Sequence, residues 1–135
     1  MRRFTLGFII LLVGCTNSEK KDSAPDSSEV AVLSPKDFEL QFSAARDAIL
    51  MDVRKPEELP DGFIKGARNI DFTGADFSKA ISGLDKDKPY FVYCKSGKRS
   101  ASAVSQMKEM GFNNLYTLEG GLNSWKAAGL ETVKP

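Results

Sequence analysis

Cys94 closes the apolar run Tyr90 to Tyr93 and opens the stretch Cys94-Lys95-Ser96-Gly97-Lys98-Arg99, after which a helical pattern begins. A structural thiol prefers apolar neighbours, whereas three cations follow Cys94 within five residues. A strand ending in cysteine, a loop containing glycine and a helix directly behind it aim backbone N–H groups and the positive end of a helix dipole at one point. Such a cradle holds oxyanions and stabilises a thiolate. Cysteines in this setting have lowered pKa values, so Cys94 is a candidate nucleophile at neutral pH. Gly97 lets the turn close without a Cβ clash, Ser96 offers a hydroxyl donor, and Arg99 can bracket the site or brace the loop from behind. The competing reading is an inert strand-end thiol beside solvated cations. Lys98 and Arg99 weigh against it, because cations are unfavourable in the first turn of a helix unless something uses them. Lys95 is open to either reading.

The rest of the composition narrows the chemistry. The 135 residues contain no histidine, which excludes Ser/His/Asp and Cys/His catalysis and any histidine-built metal site. Cys15 and Cys94 are too few, and too differently placed, to supply a closed zinc site, so no metal is expected. A formal charge of +1 gives no argument for nucleic acid.

The amino terminus reads as a targeting segment rather than as fold. Arg2 and Arg3 precede an apolar run, Phe4 to Val13, which at about 10 residues is too short to span a bilayer and suits an export signal. Leu12-Val13-Gly14-Cys15 looks like a bacterial lipobox. The expected organisation is a lipoprotein signal peptide over residues 1–14, a lipidated Cys15 with a disordered tether over 15–29, and one folded domain over 30–135. Lipidation consumes Cys15, leaving Cys94 as the only free thiol. The expected location is the bacterial cell envelope, facing the periplasm. Thr16 in place of an aspartate leans toward the outer membrane over the inner.

Within 30–135, strand-length apolar segments alternate with segments of helical period. Strands are expected at 30–33, 48–53, 67–70, 90–94 and 114–118, and helices at about 35–45, 75–82, 99–110 and 122–128. Ser34-Pro35 supplies an N-cap and a first-turn proline, and Gly111 and Gly129 suit positions just past helix ends. Phe38, Phe42, Phe77, Phe91 and Trp125 are assigned to the core. This alternation predicts an α/β fold: a mainly parallel central sheet with helices on both faces. Ligands of such sheets sit beyond the carboxyl ends of the strands, which is where both Asp52-Val53-Arg54 and the Cys94 loop fall. Asp52 and Arg54 are therefore expected beside Cys94, as an ion pair holding loops in place rather than as catalysts, with Glu58 in a similar supporting role.

Four blocks together, "DVRKPEE" (52–58), "GFIKGARNI" (62–70), "CKSGKRS" (94–100) and "LEGGLNSWKAAG" (118–129), resemble the rhodanese family over roughly residues 32–130. The resemblance implies a single rhodanese-like domain. It also implies that Cys94 takes a sulfane sulfur from a small anionic donor such as thiosulfate, carries it as a persulfide in the loop cradle, and passes it to cyanide or a thiol. A monomer is expected. Phe63 stands where the family usually has histidine, which alters local packing but does not touch the nucleophile. Four residues separate Cys94 from Arg99, whereas phosphatase-type relatives of the fold use five to cradle a larger phosphate, so sulfur transfer is favoured over phosphatase or arsenate reductase chemistry. A persulfide carrier serving a protein partner, and a non-catalytic interaction domain, are the alternatives.

Overall fold

The computed structural model describes residues 29–135; the expected export signal, Cys15 and nearly all of the expected tether lie outside them. The strands are β1 (Ala31–Leu33), β2 (Ile49–Asp52), β3 (Arg68–Asn69), β4 (Pro89–Tyr93) and β5 (Asn114–Leu118). The helices are α1 (Pro35–Ala44), α2 (Phe77–Ser82), α3 (Lys98–Glu109) and α4 (Gly121–Ala127). The strands form one sheet in the order β1-β5-β4-β2-β3, and every pairing is parallel. The expected α/β architecture is the observed one.

Side-chain alternation along the central strands divides the core into two layers. Met51, Val53, Tyr90 and Val92 face α2 and α3, where they meet Phe77, Ile81, Ala103, Val104 and Met107. Leu50, Phe91 and Tyr93 face the other way, against Phe38 of α1 and Leu122 and Trp125 of α4. Because β2 and β4 are covered on both faces, their sequences are continuous apolar runs rather than alternating ones. Phe38 stands edge-on to Phe91 at 5.3 Å and to Trp125 at 6.4 Å, so one aromatic cluster ties α1 and α4 to the sheet. Burying each such side chain contributes about 1.5–3 kcal/mol.

The sheet register sets the position of the chemistry. Asp52 pairs with Tyr93 across β2 and β4, and the Val53 N–H donates to Tyr93 O at 3.0 Å. Both strands end at one level, with Arg54 leaving one and Cys94 leaving the other. Ser34 caps α1 by accepting from the Asp37 N–H, and Gly111, at φ +96°, turns the chain off α3.

Two features were not legible in the sequence pattern. Pro56–Asp61 forms a 3-10 turn, stabilised where Glu58 Oε2 accepts from the Lys55 N–H at 2.9 Å. It has no hydrophobic period because it buries no side chain. The chain end returns to pair antiparallel at Phe63, whose N–H and C=O bond Val133 at 2.9 and 2.8 Å. That bond pattern uses the backbone alone, so the missing histidine at position 63 leaves it intact.

Candidate active site

The loop after β4 wraps its backbone around one sulfur. The Gly97 N–H donates to Cys94 Sγ at 3.1 Å and the Ser100 N–H at 3.4 Å. Gly97 achieves this at φ +98°, a conformation that costs other residues about 1–2 kcal/mol. The thiol donates to Ser100 Oγ at 3.5 Å, and the Ser100 hydroxyl in turn donates to Gly97 O at 3.1 Å. Once the thiol ionises, that hydroxyl can rotate to donate to the sulfur instead. Cys94 is wholly buried, and burial pushes its pKa up. The bonds from the Ser100 hydroxyl and from the N–H groups of Ser100, Gly97 and Ser96 outweigh burial and leave the thiol below its ordinary value.

The side chains around the loop have roles that the sequence assigned only partly. Ser96 contributes through its N–H; the hydroxyl that reaches the sulfur is that of the fully buried Ser100, not that of Ser96. Ser100 was missed as a separate site residue, although it ends the block "CKSGKRS" and a buried serine at a helix start needs a partner. Arg99 turns away to make a two-pronged bond with Glu58, at 2.6 and 2.9 Å, and so braces α3 against the 3-10 turn. This pairing also removes the conflict of a cation in a first helical turn. The Arg99 guanidinium holds the Glu58 carboxyl down at about 2, so the pair persists until pH falls through that value. Lys95 and Lys98 are exposed.

Asp52 and Arg54 form a buried pair at 2.7 Å, both nearly inaccessible to solvent. Asp52 Oδ1 also accepts from the Arg54 N–H at 3.0 Å, and Arg54 Nη1 and Nη2 continue to Glu58 O and Gly62 O at 3.4 and 2.8 Å. One guanidinium thus pins the whole segment that carries Glu58. Burial alone would lower the Arg54 pKa, but Asp52, joined by Tyr93 and Glu58, outweighs burial and leaves it raised. Arg54→Met strands the Asp52 charge and should destabilise the fold by about 3–5 kcal/mol, while the double change with Asp52→Asn should recover part of that loss. Urea unfolding of the three proteins checks this, and equal losses in the single and double variants would refute it.

A second unforeseen support comes from α4. The Leu122 N–H donates to Cys94 O at 2.8 Å and the Asn123 N–H to Lys95 O at 3.0 Å, so the helix start grips the loop backbone. Gly120 and Gly121 both have positive φ, at +72° and +63°, which allows that approach. The signal was the Gly-Gly pair in "LEGGLNSW". Trp125 sits in the core and lines a separate cavity with Phe38 and Leu130. Among the described residues, no cluster of three or more histidine, cysteine, aspartate or glutamate side chains could hold a metal ion.

A parallel α/β sheet with a thiol cradled at the end of its central strand defines the class, and comparison with known proteins gives the family. The Rhodanese-like domain model matches residues 34–128, and the chain belongs to that family. It is 34% identical over 94 residues to the thiosulfate sulfurtransferase GlpE of Pseudomonas putida, covering 69% of this chain and 83% of GlpE. It is 30% identical over 104 residues to the probable adenylyltransferase/sulfurtransferase MoeZ of Mycobacterium tuberculosis, covering 77% of this chain but only 26% of MoeZ. Among solved structures, a rhodanese-related protein from Thermoplasma volcanium matches with a TM-score of 0.65 and 33% identity, over 76% of this chain and 97% of that one.

Proposed function

We propose that this chain is a sulfurtransferase that moves a sulfane sulfur from thiosulfate, through a persulfide on Cys94, to cyanide or a thiol. The observation that carries the reading is the buried Cys94 sulfur under the N–H groups of Gly97 and Ser100. The Cys94 thiolate attacks the outer sulfur of thiosulfate. A sulfur–sulfur bond forms at Cys94 as the sulfane–sulfonyl bond breaks, and sulfite leaves with the bonding pair. The acceptor anion then attacks the outer sulfur of the persulfide and releases the Cys94 thiolate. The loop N–H groups favour the anionic sulfur at each stage without needing to reorganise. The intermediate is covalent, so no cofactor enters.

Intact-mass measurement after thiosulfate treatment should show one added sulfur atom, located at Cys94 by peptide mapping. Alkylation by neutral iodoacetamide against pH should give a midpoint below the free-thiol value of about 8.5. A midpoint at or above that value would refute the cradle as the source of activation. The second reading, a persulfide carrier for a protein partner, draws on the complete burial of Cys94, which restricts the access of small molecules to its sulfur. Persulfide formation with negligible thiocyanate production from cyanide would favour it.

The same proposal places the protein as a monomer, tethered through lipid on Cys15 at the periplasmic side of the envelope. Its support is Leu12 to Cys15 following an apolar run of export length. Cys15→Ser should block lipid labelling and release the protein from membranes; continued membrane retention would refute the anchor.

A further inference from the structure

A cavity of about 290 Å³ touches the Cys94 loop at Lys95 and is lined besides by Arg54, Glu58, Asp61, Asn123 and Lys126. The cations most obviously suited to a small anion are committed elsewhere. Arg54 commits four of its five N–H donors to Asp52, Glu58 O and Gly62 O, and Arg99, paired with both oxygens of Glu58, does not line the cavity. Lys126 makes one bond, to Asp61 O at 3.0 Å, which holds its ammonium across the cavity and leaves two of its three N–H donors free. The Asn123 side-chain amide has no partner among the described residues, and its backbone is fixed by the bond to Lys95 O. Glu58 is neutralised by Arg99, so the free charges facing the cavity are Lys95 and Lys126 against Asp61. The balance favours an anion.

Building on the proposed sulfur transfer, we infer that Lys126, assisted by Asn123, holds the oxyanion end of the sulfur donor and sets the preference for donors that carry one. The donor's outer sulfur then points toward Cys94, and its sulfonyl group lies between Lys126 and Lys95. As the thiolate takes the sulfane sulfur, the bonding pair passes to the sulfonyl group, and the departing sulfite carries its charge beside the two ammonium groups. Neither Lys126 nor Asn123 belongs to the cysteine loop. Both reach it because α4 docks on that loop's backbone.

The test uses the full chain as wild type, Lys126→Met, Lys126→Arg and, as a charge-matched control on the far end of α3, Lys108→Met. In thiosulfate-to-cyanide turnover, Lys126→Met should raise KM for thiosulfate about tenfold, the scale of one lost charge-assisted hydrogen bond. Lys126→Arg should restore most of it, and Lys108→Met should leave turnover as in wild type. A second readout needs no turnover: at constant ionic strength, sulfate should slow iodoacetamide alkylation of Cys94 in the wild type and lose that effect in Lys126→Met. The pH midpoint of alkylation without sulfate should stay where it is, because the loop donors are untouched. An unchanged KM together with unchanged sulfate protection overturns the inference. So does a moved alkylation midpoint without rescue by arginine, which would make Lys126 only a latch on Asp61. If wild type forms no persulfide yet shows Lys126-dependent sulfate protection, the oxyanion site stands and the sulfur-transfer reading falls.

Discussion

Cys94→Ser is expected to abolish persulfide formation and thiocyanate production while leaving a folded domain. The hydroxyl would sit under the same N–H groups, but it stays protonated at neutral pH and cannot carry a sulfane sulfur. The change removes little volume, and the donors now serving the sulfur, Gly97 N–H and Ser100 N–H, keep an acceptor in place of it. Stability should therefore change far less than activity. Mass spectrometry after thiosulfate treatment, with circular dichroism on the same sample, separates the two. A sulfur adduct that persists in the folded variant would place the chemistry on another residue and end the Cys94 mechanism.

Much of this site follows from features a linear reading can see. The thiol, the glycine and the helix start are consecutive, so Cys94, Gly97 and the N–H cradle could be assigned from spacing. The level of β2 and β4 in a parallel sheet brought Asp52 and Arg54 to the same end. The partner of Arg99 was harder to foresee, since Glu58 lies 41 positions away on a turn without hydrophobic period. An arginine beside a catalytic cysteine suggests an anion binder. Here its geometry is that of a brace, because a nearby carboxylate satisfies a guanidinium in a first helical turn better than solvent does. Lys126 was invisible for the same reason: its contact with Asp61 spans 65 positions and engages only a backbone carbonyl.

Gly121→Ala should damage both the stability of the fold and the setting of the Cys94 thiol. A Cβ at Gly121 would stand 2.6 Å from Cys94 O, from Lys95 C and from Lys95 O, all backbone atoms of the Cys94 loop. The position also has φ +63°, which costs an alanine about 1–2 kcal/mol before any clash is counted. Overpacking adds about 1–3 kcal/mol, so a total near 2–5 kcal/mol is expected. The clash can be relieved only by moving α4 off the loop, which breaks the bonds from Leu122 N–H to Cys94 O and from Asn123 N–H to Lys95 O. Loop geometry then loosens and the alkylation midpoint of Cys94 should rise. Gly66→Ala is the control: its φ is +90°, but an added Cβ meets nothing within 4 Å and lies away from the loop. That variant should lose only the backbone cost, with the Cys94 midpoint unmoved. Equal stability losses in the two variants, with the thiol unchanged in both, would show that the grip of α4 on the loop does not tune the cysteine.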